Sequence, residues 1–428
     1  MYSYITIAKA RGFILIFAKI KLKKDFAMKY IKLLSMMLVI LAINGCVQTV
    51  KEPTKETRPI YTPSVVHREP VTPIIIDNTP PPVIIDTIPV EEILPPQEIF
   101  STNSIGSRYL QGAYANNYKL KQFINTMVNK HHFTRSYLNA VFSSVSRDTE
   151  ALKKIGAFGT TAKPNVSKRT TTGTWDKYRS NFLTSSRIGK GVKFWKENKY
   201  YLEKASRMYG VAPEYIIGII GVETNFGGFT GKHKLLDALT SISLEFPKRT
   251  KFFTSELENY LLMTREQRMD PRRIEGSYAG AFGLSQFMPS SFRSFAVDLD
   301  GNGQINLFTK ADAIGSVANY FKERGKWNPR IPVAVLTTYN KPRFYGIATG
   351  FKTSYSQSHL YSLGMRPVNN FYGYRGSVSL IKLNRYHKDE MWWGTPNFYS
   401  IARYNPKDHY AMAVHQLAQA VKINYYRR

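Results

Sequence analysis

Half of the prolines in this chain, eleven of 22, fall between Pro53 and Pro96, three of them consecutive at Pro80-Pro81-Pro82. Each proline fixes φ and removes a backbone donor, so neither a helix nor a central strand runs through such a stretch. The segment predicts an extended tether. At about 3.1 Å per residue in polyproline II form, roughly 50 residues reach about 150 Å. A competing reading makes an edge strand of Ile74-Ile75-Ile76 or Val83-Ile84-Ile85. Either way, the folded domain is expected in residues 101–428, which is enough chain to bury a sizeable core. Hydrophobic residues make up 43% and charged ones 21%, the balance of a globular protein. The single cysteine excludes a disulfide framework and any Cys-based zinc site. With 60 Lys+Arg against 30 Asp+Glu the formal net charge is +30, which favours a polyanionic partner: nucleic acid, an anionic membrane or an acidic wall polymer. No internal repeat is visible at a regular period.

The N-terminus points to a compartment. Lys29 and Lys32 precede an apolar run from Leu33 to Ile43, followed by Asn44-Gly45-Cys46. This is the layout of a secretory signal, and the run falls short of the about 20 apolar residues that span a bilayer. Ile43-Asn44-Gly45-Cys46 resembles a bacterial lipobox, with Asn44 where a small residue is usual; the resemblance implies lipidation of Cys46. The competing reading is a buried free cysteine. Residues 1–27 carry a second apolar patch, Phe13 to Phe17, then Lys19, Lys21, Lys23 and Lys24, so Met28 is an alternative start. Residues 1–45 hold eight Lys/Arg and one acid, which leaves +23 on a chain beginning at Cys46. The basic character therefore belongs to the mature protein. Val47 after the cysteine, rather than Asp, points to the outer membrane. Export argues against nucleic acid as the partner. The expected organisation is a signal peptide over 1–45, a Pro-rich periplasmic linker over 46–100 and a catalytic domain over 101–428.

Beyond Ser101 the pattern is mostly helical. Short amphipathic helices are expected over Phe123–Lys130 and Ser136–Val145. Phe194 to Tyr209 mixes apolar and charged residues at helical spacing and stops at Gly210. Pro213 starts the next helix at a first-turn position that tolerates it. That helix runs through Tyr215, Ile216, Ile217, Ile219, Ile220 and Val222 to the helix-ending pair Gly227-Gly228. Further helices fit Phe252–Met263, Ala311–Gly325 and Tyr410–Ile423. Gly, Pro, Tyr and β-branched residues from Pro332 to Tyr399 predict loops with short strands.

Glu223 stands in the last turn of the most apolar of these helices. The negative end of the helix dipole and burial beside isoleucines both disfavour its charged form, so its pKa is expected to rise. A carboxylic acid that stays protonated near neutral pH can act as general acid to a glycosidic leaving oxygen. Taken alone, a glutamate that simply reaches solvent past Gly227 fits as well.

Its neighbourhood narrows the choice. The segments Tyr209-Gly210-Val211-Ala212-Pro213-Glu214, Gly218 to Thr224, Gly276 to Gly283, Gln286 to Ser291, Asp312 to Tyr320, and Asn397 through Arg403-Tyr404-Asn405 to Val414 occur in order between about residues 120 and 425. Together they resemble the membrane-bound lytic murein transglycosylase B family. The resemblance implies a mainly α (α+β) chain: a lysozyme-like catalytic core with an extra helical lobe and short strands. It makes Glu223 the sole catalytic acid/base, which cleaves the MurNAc–GlcNAc β-1,4 bond and leaves 1,6-anhydro-MurNAc ends without water. No second acid stands between Ser277 and Ser291, and the substrate's acetamido group can serve instead. By the same resemblance Ser277 hydrogen-bonds the glutamate. Gln286, Asn405, Tyr178, Tyr320, Tyr404 and Tyr410 line the sugar groove, and Lys248-Arg249 meets stem-peptide carboxylates. For the tyrosines and the basic pair, ordinary packing and a solvated surface are competing readings. Asn225 and Phe226 stand where the family often has Arg and Trp.

Asp298-Leu299-Asp300-Gly301-Asn302-Gly303-Gln304 fits the start of an EF-hand loop. The resemblance implies a structural Ca²⁺ held by Asp298, Asp300, Asn302 and Gln304, with no cofactor required for the chemistry. Thr309, not an acid, occupies position twelve; Asp312 is the nearest carboxylate and also fits a helix cap. A turn without metal is the alternative. The expected partners are peptidoglycan strands and, through a lipid anchor, the outer membrane on its periplasmic face, with the protein a monomer. Rival classes are a hydrolytic muramidase of the same fold and a non-catalytic wall-binding lipoprotein. A nucleic-acid binder has the charge but no recognition motif.

Overall fold

A computed structural model of the chain describes residues 105–157, 172–341 and 343–427. Cys46, the signal segment and the Pro-rich stretch lie outside the described residues.

The expected mainly helical domain with short strands is what the described residues form. Polar residues start the helices by accepting the first free N–H groups: Asn117 from Leu120 N, Thr134 from Tyr137 N and Thr184 from Arg187 N. The helix expected over Phe194–Tyr209 is instead two, Ser185–Glu197 and Lys199–Tyr209. Asn198 breaks it: its side-chain amide donates to Phe194 O at 2.8 Å, competing with the backbone ladder. Leu235–Glu245 is a helix that periodicity does not show, because Leu235 to Leu244 is buried apart from Asp237 and so carries no polar stripe.

Pro213–Thr224 is the axis of the fold. Every residue from Glu214 to Val222 is buried, and Ile216, Ile217, Ile219 and Ile220 are 0% exposed. Each such isoleucine contributes about 1.5–3 kcal/mol of burial. The helix packs along the C-terminal helix Asp408–Tyr426 and against Lys310–Tyr320. Gly218 makes the first contact possible, since a Cβ there would lie 2.9 Å from Val414 O. Together these helices form one core. A second core joins Tyr118–His131, Arg135–Ser143, Leu235–Glu245 and Thr250–Glu266 to the segment around Phe282, Phe287 and Phe292. Tyr404 packs against both.

Residues 332–399 contain a four-stranded antiparallel sheet in the order Met365–Pro367, Ala334–Tyr339, Asp389–Gly394, Ser379–Asn384. Its register pairs Trp393 with Val335 and Leu380, and Trp392 with Leu336 and Ile381. Strand alternation therefore sends the two tryptophans to opposite faces. Trp393 enters a third core with Val335 and Leu380, and Trp392 packs toward the first with Ile381.

Candidate active site

Glu223 lies where the axial helix ends. Its side chain is half-buried, and Oε1 accepts a hydrogen bond from the Tyr410 hydroxyl at 2.5 Å. Burial raises its carboxyl to about 7, and the Tyr410 bond draws it partway back. No acidic neighbour contributes to that rise, so the site is not a pair of carboxylates sharing a proton. Glu223 in turn raises the hydroxyls around it. Burial first and its charge second push up Tyr178, Tyr404 and Tyr410. An acid that titrates near neutrality can give a proton and take one back in the same cycle.

The helix end is held by main-chain contacts. Thr224 Oγ1 lies 3.1 Å from both Ile220 O and Leu284 O, joining the axial helix to the loop at 281–287. Arg187 Nη1 donates to Gly221 O at 2.8 Å. Asn225, Phe226 and Gly227 then take successive left-handed conformations, with φ 52°, 63° and 86°. For a residue as bulky as Phe226 that is strained, and the ring is accommodated over Gly221 and Gly191, where a Cβ would meet it at 2.6 and 3.0 Å.

The predicted groove residues fall into distinct positions. Tyr178 is half-buried beside His409 and Phe182, at ring distances of 5.4 and 5.1 Å. Gln286 is held at φ 50° with Nε2 donating to Thr230 O and Gly283 O, both at 2.9 Å, which leaves its carbonyl Oε1 for a ligand. Asn405 is half-buried six residues after the start of the Tyr399–Tyr404 stretch that leads into the Tyr410 helix. Tyr404 donates to Ser285 O. Tyr320, 7% exposed, donates to Arg403 O at 2.8 Å and stacks behind Tyr404 at 4.8 Å, so it backs the groove wall. Ser277 Oγ accepts from Ala281 N at 3.0 Å, and Glu223 Oε1 takes its hydrogen bond from Tyr410. Lys248 and Arg249 sit on an exposed 3₁₀ turn, with the Arg249 guanidinium 4.4 Å from the Phe252 ring.

In the acidic loop the expected Asp298 and Asp300 are joined by Asp312. Asp298, Asp300 and Asp312 each offer a carboxylate oxygen, all within 4.8 Å of one another. One calcium with ligands at about 2.3–2.6 Å would place its oxygens no more than about 5 Å apart, so the three fit a divalent cation. Asp312 is 0% exposed; burial, and the charges of Asp300 and Asp298, raise it to about 7 against the Asn306 and Leu299 N–H groups. It does not cap its own helix, a task that Thr309 performs. Asn302 Oδ1 instead accepts from Gln304 N at 2.8 Å.

Comparison with known proteins places this site in a family. The Transglycosylase SLT domain matches residues 115–419. Membrane-bound lytic murein transglycosylase B of Escherichia coli (strain K12) is 45% identical over 314 residues, which is 73% of this chain and 85% of that protein. The chain belongs to the membrane-bound lytic murein transglycosylase B family. Two solved structures of the Escherichia coli lytic transglycosylase Slt35 are similar at 42% identity, covering 76% of this chain and 98% of theirs. One is in complex with bulgecin A, at TM-score 0.69, and the other with calcium, at TM-score 0.68.

As a member of that family, the chain has the lysozyme-like core expected from its motifs. The axial helix and the 276–291 segment are joined at Thr224–Leu284. Sequence reasoning left Asp312 open as either the nearest carboxylate or a helix cap, and did not find Thr224 as the joint or Arg187 at the helix end. A carboxylate just beyond an EF-hand-like run was the available signal for the first. The other two contact main-chain carbonyls, which leave no pattern in a sequence.

Proposed function

We propose that Glu223 is the sole acid/base for cleavage of the MurNAc–GlcNAc β-1,4 bond of peptidoglycan, with formation of 1,6-anhydro-MurNAc. Protonated Glu223 gives its proton to the glycosidic oxygen as the C1–O bond breaks. The substrate's acetamido oxygen stabilises C1. The C6 hydroxyl of the same sugar then bonds to C1, and its proton returns to the Glu223 carboxylate, which the Tyr410 hydroxyl holds ready. Atoms balance without water. The observation that carries this reading is a single carboxyl at about 7, raised by burial and with one hydroxyl partner. Gln286, Asn405, Ser277 and Tyr178 bind sugar around it, and Tyr404 and Tyr320 support them. Lys248 and Arg249 face the acidic stem peptides. Asp298, Asp300 and Asp312, with Asn302 and Gln304 on the same loop, hold a structural Ca²⁺ that takes no part in the chemistry; a calcium complex of Slt35 supports this. The protein acts as a monomer, anchored through lipidated Cys46 to the periplasmic face of the outer membrane, with residues 46–100 as its tether; the membrane-bound relative supports that location.

The test is mass spectrometry of the muropeptides released from purified sacculi. The wild type is expected to give anhydro ends that borohydride does not reduce. Glu223→Gln, which keeps shape but has no proton to give, is expected to bind sacculi and release nothing. Reducible ends would make the protein a hydrolytic muramidase, and undiminished release by the variant would remove Glu223 from the reaction.

A further inference from the structure

The two helices that meet at Glu223 and Tyr410 also form, at their other ends, a second cleft of about 560 Å³. Tyr215 lines it from the first turn of the axial helix, about 12 Å along the axis from Glu223 at 1.5 Å per residue. His415 and Gln419 line it from the C-terminal helix, and Trp392 from the sheet face opposite Trp393. Trp327 lies 5.0 Å from Tyr215 and Trp392 lies 5.7 Å from His415, ring to ring. The cleft thus has aromatic walls at a size ordinary for a ligand site.

Its polar floor is set for a neutral ligand. Gln419 Nε2 donates to the Tyr215 hydroxyl at 3.0 Å, and that hydroxyl is also hydrogen-bonded with His415 Nδ1 at 3.1 Å. Burial pushes the His415 pKa down to about 4, so the ring stays uncharged near neutrality. Glu214 is neutralised by Lys422 at 2.8 Å, and Arg330 is the remaining charge of the lining. At the mouth, Tyr372 is 82% exposed and sits at φ 51° directly after Phe371 at φ 51°. Two consecutive left-handed residues that hold a tyrosine ring in water are strain of the kind that marks a binding feature.

Flat aromatic faces suit the C–H faces of a pyranose, and an uncharged imidazole beside an amide, His415 and Gln419, suits acetamido groups and hydroxyls. We propose that this cleft is a second glycan-binding site, taking N-acetylhexosamine residues of a peptidoglycan strand away from the bond being cleaved. The choice of glycan rests on the substrate reading above. Such a site keeps the enzyme on the strand between cleavage events.

Tryptophan indole NMR on the full chain carrying Glu223→Gln, titrated with chitotriose, tests both places at once. Trp175 stacks on Tyr178 at 6.2 Å and reports on the Glu223 groove; Trp327 and Trp392 report on the cleft. The expected result is a saturating shift of Trp327 and Trp392. Tyr372→Ala, at a surface position that folding tolerates, should weaken that shift about five- to tenfold while leaving any Trp175 response in place. A response of Trp175 alone would overturn the cleft and leave the groove standing; a response of the cleft alone would do the reverse. If the cleft indoles move only with a synthetic peptide spanning Asn78 to Ile85, the site takes polyproline and the glycan proposal is wrong. Silence at all three would sink both.

Discussion

The hydroxyl of Tyr410 donates to Oε1 of Glu223 across 187 residues of sequence, at 2.5 Å. The bond stabilises the carboxylate and so opposes the burial that raises the acid. Tyr410→Phe is therefore expected to raise the Glu223 pKa further and move the alkaline limb of the rate–pH profile up by about one unit, with a roughly tenfold loss in kcat, the scale of one charged hydrogen bond. An unmoved limb would mean that the limb reports another group.

Stability should fall as pH rises through the same range. Glu223 holds its proton up to about 7 in the folded state against an ordinary value of 4.5, so between those limits the native chain binds more protons than the unfolded one. The stability present below pH 4.5 is lost by about pH 7, a cost of about 3 kcal/mol at pH 8. Glu223→Gln should recover much of it. Urea unfolding at pH 8 should show the gain, and unfolding at pH 4 should not; an equal gain at both would trace it to packing rather than charge.

Gly218→Ala should weaken the fold and the chemistry together. The added methyl meets Val414 O at 2.9 Å and Ala418 Cβ at 3.2 Å, pushing the Tyr410 helix off the Glu223 helix. The expected loss is about 1–3 kcal/mol, with a fall in kcat. Gly189→Ala, where nothing lies within 4 Å of the new Cβ, is the control and should be neutral or stabilising.

Calcium should raise the melting temperature, since an ion that binds only the folded loop stabilises it by mass action. With three carboxylates at the site, the response is expected at roughly 10⁻⁴–10⁻³ M calcium. Asp300→Asn keeps the acceptor for Asn302 N and should abolish the response. A persistent shift in that variant would place the ion elsewhere.

Cys46→Ala should move the protein from the membrane pellet to the soluble fraction. Among the described residues no helix is long and apolar enough to cross a membrane. Continued pelleting after a salt wash would rule against lipidation as the anchor.

The parts of this site that were readable are those written in consecutive residues. Pro213 and Gly227 bracket the axial helix, and an unbroken apolar run around Glu223 says that the acid is desolvated. Tyr178, Tyr404 and Tyr410 could be assigned only by resemblance, because nothing local distinguishes them among the chain's 28 tyrosines. The Tyr410 bond to Glu223 was unreadable for the same reason: which hydroxyl reaches the acid is decided by tertiary structure. Asn198 divides a helix at φ -115°, its side-chain amide sharing Phe194 O with its own backbone N–H, while Leu235–Glu245 escaped notice because burial on nearly every side erases periodicity.

The bonds that hold the site together have a common recipient. Thr224, Tyr404, Tyr320 and the Gln286 amide all end on peptide carbonyls, at Leu284, Ser285, Arg403 and Thr230. Every residue supplies a carbonyl, whatever its side chain. The scaffold around the acid is thus insulated from the identity of its own loops. Thr230 and Arg403, both only half-buried, can therefore change side chain and still present the same carbonyl to the site, whereas Leu284 and Ser285 are buried and remain restricted by packing alone.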